Sequence, residues 1–198
     1  MAQPRIITPE FRAVWCSIMR PAEGMNHKAG DKLKYSLKAA FPPTADLSQL
    51  KAQANAAASE FFGSKLAEEK FVKSLNPTFR RNDDLDNPIE GIGDDWMIVT
   101  FSAKEDRFSP SRNLVDSQNN GIMNEVEVYS GAWFKVQTNA YGYDKAGNRG
   151  VAFGLVNVQK TRDDDPIGGG NAPANKAFEA VAAAGPQGAP KNAANIFG

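Results

Sequence analysis

Six acidic residues lie close together in one segment of this chain and could together bind a divalent metal ion. They are Asp83, Asp84, Asp86, Glu90, Asp94 and Asp95. Metal ions held in this way let many enzymes hydrolyse phosphate esters. A calcium loop, however, alternates its oxygen ligands around a central glycine, and Pro88 breaks that register. Solvated loop carboxylates are the favoured interpretation, and a metal-dependent nuclease is the weakest alternative.

Other catalytic arrangements have little support. Cys16 and His27 are the only cysteine and histidine, so the chain cannot form an internal disulfide or a zinc site with paired cysteines. We expect Cys16 to be buried and His27 to lie on a loop. Gly147, Gly150 and Gly154 loosely resemble a phosphate loop, but a strand follows them where that motif needs a helix. We therefore expect no enzyme, no metal and no cofactor.

Aromatic residues next to lysines or arginines recur along the chain. Flat rings stack on any base while cations neutralise phosphates, so this combination is typical of proteins that bind single-stranded nucleic acid. Core packing is the alternative for every ring, and it is the stronger interpretation for phenylalanines such as Phe134 and Phe153. The candidate nucleic-acid-binding residues are Lys34, Tyr35, Lys38, Arg80, Arg81, Arg107, Tyr129, Trp133, Lys135, Tyr141, Tyr143 and Arg149.

The charge distribution permits such a function although the formal net charge is +0. Basic residues outnumber acidic ones up to Arg81, and acidic residues outnumber basic ones from Asp83 to Asp165. A neutral protein can therefore carry a basic face, and the local face is what meets phosphates. Chance scatter of solvated charges is the alternative.

Alternating apolar and polar residues predict the strands that must position these side chains. Strands are predicted over residues 11–19, 33–41 and 96–103, followed by long strand-rich runs at 125–144 and 150–163. A turn that needs positive φ joins the last two runs. The second strand divides into an apolar face and a lysine row, namely Leu33, Tyr35, Leu37 and Ala39 against Lys32, Lys34, Ser36 and Lys38.

A helix is predicted over about residues 47–75, capped by Asp46 or Ser48 and interrupted at Gly63. The charged, turn-rich stretch 76–95 predicts a surface loop. No apolar run approaches the roughly 18 residues of a membrane helix, and the N-terminus lacks an apolar signal core, so we expect a cytosolic protein without a membrane partner.

These elements predict a mainly β fold with an inserted helix: an OB-fold-like small antiparallel barrel over residues 1–165, with a flexible Gly/Ala/Pro-rich linker and tail over 166–198. A short helix is predicted at 174–184. Periodicity does not separate a barrel from a sandwich. The helix follows the second strand, whereas OB-folds place it after the third, so either it is an insertion or a strand has escaped detection.

The run YSGAWFKVQTNAYGYDKAGNRGVAFGLVNVQKTRD, together with LKYS at residues 33–36, resembles the bacteriophage OB-fold single-stranded DNA-binding proteins. The resemblance covers roughly residues 11–168. It implies sequence-independent binding of single-stranded DNA during phage replication or recombination, in the host cytoplasm and beside phage replication proteins, without catalysis. The positions that match its motifs are Lys34, Tyr35, Tyr129, Tyr141, Tyr143, Asn148 and Arg149.

The C-terminus departs from the pattern of many replication proteins of this kind, which end in an acidic tail that recruits partners. This chain ends in KNAANIFG, and its one compact acidic run is at residues 163–165. Recruitment through the tail is therefore not expected. The alternative function is a structural or adaptor β-protein of a phage assembly, with rings that bury against another protein and bind no nucleic acid.

Overall fold

The computed structural model describes residues 4–23, 29–145 and 147–168. His27 and the tail from residue 169, with its predicted helix, lie outside them. The strands are β1 (Ile6–Ile7), β2 (Phe11–Ala22), β3 (Lys34–Phe41), β4 (Arg80–Arg81), β5 (Met97–Lys104), β6 (Leu114–Val115), β7 (Trp133–Lys145) and β8 (Asn148–Arg162). The α-helices are α1 (Ser48–Phe62), α2 (Glu69–Lys73) and α3 (Pro110–Asn113), and 3-10 helices cover Gly63–Ala67 and Glu125–Glu127.

Five strands close into a barrel in the order β7, β2, β3, β5, β8 and back to β7. Every pairing in this ring is antiparallel except that of β5 with β8. This is the strand order of an OB-fold, and the five strands are those that alternation predicts. The predicted OB-fold-like barrel is confirmed. Among the described residues the barrel has no strand beyond the five predicted ones, so the helical segment is an insertion between β3 and β5.

Phenylalanines fill the barrel interior. The rings of Phe11 and Phe101 stack with centroids 5.9 Å apart, and Phe41 meets Phe11 edge-on at 5.1 Å. Phe134 and Phe153 are fully buried, as predicted. Each such side chain stabilises the fold by about 2 kcal/mol relative to an exposed position.

The predicted helix is divided at Gly63, as expected. Gly63 ends α1 with a φ of 53°, and its N–H donates to the Ser59 carbonyl. Leu50, Ala54 and Ala57 bury one side of α1 against the barrel core. Among the described residues, none of the helices combines the length and apolar character of a membrane span.

The segment 76–95 is more than the surface loop that its composition predicts. It contains β4, which pairs with β5. Asn82 is 1% exposed, and its side chain accepts from the Ile89 N–H at 2.8 Å and donates to the Ile92 carbonyl at 3.0 Å. Ile92 forms a second apolar cluster with Ala40 and Ile98 on the outer side of the barrel. The loop therefore covers part of that outer surface.

The last described residues of the chain pack against the same apolar cluster. Ile167 packs against it and donates its N–H to the Ser130 carbonyl at 2.9 Å. The chain thus stays attached to the barrel just past residue 165, where the linker was expected to begin.

In strand β2 the alternation of inward and outward side chains shifts by one residue at Val14. Ala13 pairs with Ala39, but Trp15 pairs with Lys38, so the strand holds one extra residue, a β-bulge. Ala13 faces the core before the bulge and Ile18 after it, while Trp15 faces outward. Cys16 was expected to be buried; it is half-buried and packs against the core, and desolvation raises the pKa of its thiol to about 12.

Candidate nucleic-acid interface

Strand pairing brings outward-facing residues of four barrel strands, β2, β3, β5 and β7, onto one surface. On β3, Lys38 lies between Trp15 of β2 and Thr100 of β5. Two residues back along β3, Ser36 pairs with Ser17 of β2 and Ser102 of β5. Lys34 then pairs with Lys104 of β5. We call this surface the open face and define it by Trp15, Ser17, Lys34, Ser36, Lys38, Thr100, Ser102, Lys104 and Tyr141.

Two aromatic side chains are exposed on the open face. Trp15 is 59% exposed and Tyr141 is 43% exposed. Burial of the Tyr141 hydroxyl raises its pKa, and a hydrogen bond with the Ser102 side chain partly opposes that rise. The hydroxyl thus lies near Ser102 of β5, although much of the side chain meets solvent. Both residues offer the stacking surface that a base requires.

The cations of the open face are available to a ligand. Within the described residues, Lys34, Lys38 and Lys104 make no ion pair. Lys32, predicted in the same row, instead contacts Asp106 with 2.6 Å between Nζ and Oδ2. Arg107 lies close enough to Tyr141 to lower the pKa of its hydroxyl. The neutral chain therefore does present a locally basic surface.

Tyr35 does not belong to this surface. The apolar face of β3 turns inward, so Tyr35 is only 9% exposed and packs on Phe108 with ring centroids 5.0 Å apart. Its inclusion among the stacking candidates is corrected accordingly, because a buried ring offers no face to a base. The division of β3 into an apolar face and a lysine row is confirmed.

Tyr129 and Trp133 lie where the end of the last strand folds back over β7. Trp133 Nε1 donates to Asp164 Oδ2 at 2.8 Å, and the Arg162 guanidinium stacks 3.8 Å from the Trp133 ring centroid. Tyr129 donates its hydroxyl to Asp163 at 2.7 Å. Burial and this carboxylate raise the pKa of Tyr129 to about 12. We call this region the acidic corner, made of Arg12, Tyr129, Trp133, Arg162, Asp163, Asp164 and Asp165.

Tyr143 and Arg149 hold the β7–β8 hairpin against the helical insertion. Asn76 donates to the Tyr143 hydroxyl at 3.2 Å, and the Arg149 guanidinium lies 5.3 Å from the Phe71 ring centroid. Lys145 pairs with Asn148, and Gly147 has a φ of 84°, which confirms the predicted turn. These two candidates therefore already have partners within the fold.

The remaining candidates are scattered. Arg80 is exposed on β4 at the border of the open face, where it pairs with Ile98. Arg81 donates to both carboxylate oxygens of Asp83, from Nε at 2.9 Å and from Nη2 at 2.7 Å. Lys135 is half-buried on the outer side of β7, on the face that also carries Trp133.

The acidic segment contributes no metal site to the described part of the chain. Within it, no group of three or more histidines, cysteines or carboxylates is arranged to hold a metal ion. Asp83 is bound by Arg81, whose hydrogen bond lowers the pKa of that carboxyl.

Of the predicted residues, the structure thus brings together Lys34, Lys38 and Tyr141, with Arg80 and Arg107 at the border. Sequence reasoning missed Trp15 and Lys104. Alternation from Phe11 and Ala13 places Trp15 inside, and only the bulge reverses that. Lys104 could have been found, since it continues the outward side of the predicted third strand beyond Ser102.

Known proteins share both the sequence pattern and the fold. The family model described as Enterobacter phage Enc34, ssDNA-binding protein, matches residues 4–187. The structure of the single-stranded DNA-binding protein from bacteriophage Enc34 in complex with ssDNA is similar with a TM-score of 0.60 and 16% identity, over 83% of this chain and 89% of that one. Gp2.5, a single-stranded DNA-binding protein encoded by bacteriophage T7, gives a TM-score of 0.57 and 16% identity, over 82% and 93%. No curated protein matches the sequence.

Proposed function

Because the chain belongs to the family of the Enterobacter phage Enc34 single-stranded DNA-binding protein, we propose that it binds single-stranded DNA on the open face of its barrel. The observation that carries this proposal is the joint exposure of Trp15 and Tyr141 on one surface with three lysines that make no ion pair within the described residues. Stacking on such rings contributes about 1–3 kcal/mol per base.

The lysines act on the DNA backbone. Lys34, Lys38 and Lys104 replace counterions that the phosphates otherwise hold, and each replaced ion makes the affinity more sensitive to salt by about 0.7 in the log–log slope for single strands. Three contacts account for a slope of about −2. Binding is therefore strongest at low ionic strength.

Binding of this kind is independent of sequence. Stacking uses the flat face that every base shares, and lysines contact phosphates, which carry no sequence information. Between the two rings the open face offers serine and threonine hydroxyls and no further ring. The proposed ligand is thus any single strand whose bases are free to unstack from a partner strand.

Membership of the family supports a proposal for the biological setting. The protein would coat single-stranded DNA during phage replication or recombination in the host cytoplasm, alongside phage replication proteins and without catalysing a reaction. Residues at the hairpin and the acidic corner hold the fold in this proposal, since their polar groups have partners in the chain.

Fluorescence anisotropy with labelled oligo-dT and a matched duplex tests the proposal. We expect an anisotropy rise with the single strand at low salt, weaker binding to the duplex and an intact oligonucleotide after incubation with Mg²⁺. No response to the single strand would refute the proposal and favour a structural or adaptor role. Degradation with Mg²⁺ would instead support the nuclease alternative.

A further inference from the structure

We propose that Trp15 and Tyr141 are the two ends of one stacking track, which a DNA strand follows across the barrel strands and which sets a minimum ligand length. The inference rests on the proposed function and adds to it the path and size of the ligand. In this proposal Trp15 stacks on a base of the DNA, as Tyr141 does.

Strand register places the two rings in one row. Trp15 pairs with Lys38, and Lys38 pairs with Thr100. At the other end Tyr141 pairs with Ala152. The β5–β8 pairing aligns Ser102 with Gly154, so Thr100 and Ala152, each two residues earlier on these parallel strands, fall in the same row. The row therefore runs perpendicular to the strands from β2 to β7.

Four strand-to-strand steps separate the backbone positions of Trp15 and Tyr141. At about 4.8 Å per step the row measures about 19 Å along the sheet. Stacked nucleotides rise about 3.4 Å each, so at most about six of them span this distance, and an unstacked, extended strand needs fewer. A dinucleotide can therefore occupy one ring only.

The surface between the rings suits a strand held at its ends. The row contains Lys38, Thr100 and Ala152, and the neighbouring row contains three serines and Gly154. These side chains are small or flexible, so they leave room for a backbone, and Lys38 supplies a cation near the middle. Stacking is thereby concentrated at the two ends.

The bulge at Val14 is what creates the first end. Without the extra residue, Trp15 would share the inward side of β2 with Phe11 and Ala13. Bulges commonly redirect a side chain beside a functional site. Here the redirected side chain is a tryptophan, the largest stacking surface among the amino acids.

A length series tests the track. Affinities for dT2, dT4, dT6, dT8 and dT12 are measured by competition against labelled dT12, with wild type, Trp15→Ala and Tyr141→Ala. For wild type we expect a steep gain in affinity up to about six nucleotides. Each variant should lose about 5- to 150-fold on dT12 but only about twofold on dT2, since one ring remains for a short ligand.

Control variants separate stacking from folding. Trp15→Phe keeps a ring and should retain most of the affinity for dT12, whereas Met123→Ala removes a 70% exposed side chain away from the open face and should change nothing. If wild type binds dT12 and Trp15→Ala binds it equally well, the stacking track is wrong but the proposed function stands. An equal loss at every length would also overturn the track, because Trp15 would then not act as a distant end. Absence of wild-type binding to dT12 would refute the proposed function itself.

Discussion

The open face and the acidic corner contain the same residue types, aromatic rings beside cations, but differ in what else is near. In the acidic corner, Asp163 and Asp164 accept hydrogen bonds from Tyr129 and Trp133, and Arg162 lies on the Trp133 ring. On the open face, the lysines have no carboxylate partner among the described residues. The difference shows that a ring next to a cation indicates a binding surface only where no acidic segment of the same chain already occupies it.

The largest expected effect comes from removing the open-face charges. Replacing Lys34, Lys38 and Lys104 with alanine should weaken oligo-dT binding about 100-fold at low salt and reduce the salt slope by about 2, because three phosphate contacts are lost. Anisotropy titrations at several salt concentrations measure both quantities. The matched control replaces Lys51, Lys65 and Lys70 of the helical insertion, which changes net charge equally but should barely alter affinity. Equal losses in both triple variants would mean that net charge, rather than the open face, drives binding.

A crossed pair of ring variants sharpens the comparison. Tyr141→Ala should lower dT12 affinity by about 5- to 150-fold with little change in stability, because much of its side chain meets solvent. Trp133→Ala should leave affinity within about twofold and lower the free energy of unfolding by about 2 kcal/mol, since the Asp164 and Arg162 contacts disappear. Urea denaturation and anisotropy on both variants decide the matter. Loss of DNA binding in Trp133→Ala, with its stability intact, would make the acidic corner part of the binding surface.

The smallest effect concerns pH and the acidic corner alone. The hydrogen bond from Trp133 lowers the pKa of Asp164 in the folded protein. A lowered pKa means that ionised Asp164 stabilises the fold above the unfolded-state value of about 3.9, and that this contribution is lost as pH falls through the folded-state pKa. The free energy of unfolding of wild type should thus be about 1 kcal/mol larger than that of Asp164→Asn at pH 7. This difference should disappear below about pH 4. Urea midpoints measured from pH 3 to 7 check this. A gap that widens on acidification would contradict it.

Sequence patterns predict most of the barrel because its strands obey simple alternation. The inward side of β3, the long strands β7 and β8 and the break at Gly63 all follow from local residue order. The lysine row followed in the same way. These features depend on neighbours only a few residues apart, which is the range that periodicity reports.

The remaining placements depend on contacts and irregularities that local alternation does not report. Trp133 meets Asp164 31 residues later, and Tyr129 meets Asp163 34 residues later, so their local sequence gives no sign of these partners. Asn82 is buried because it closes its own loop through hydrogen bonds to Ile89 and Ile92. Trp15 was not predicted to face outward because one extra residue reverses an otherwise regular alternation.

The extra residue at Val14 also decides the labelling chemistry of the protein. By turning Cys16 inward, it leaves the single sulfhydryl of the chain with a pKa of about 12, so almost none of it is thiolate at neutral pH. Maleimides and other thiol-directed probes should react slowly with the native protein. A cysteine introduced at an exposed position such as Ser117 would then carry a fluorophore at one defined place, with no need to remove the original one.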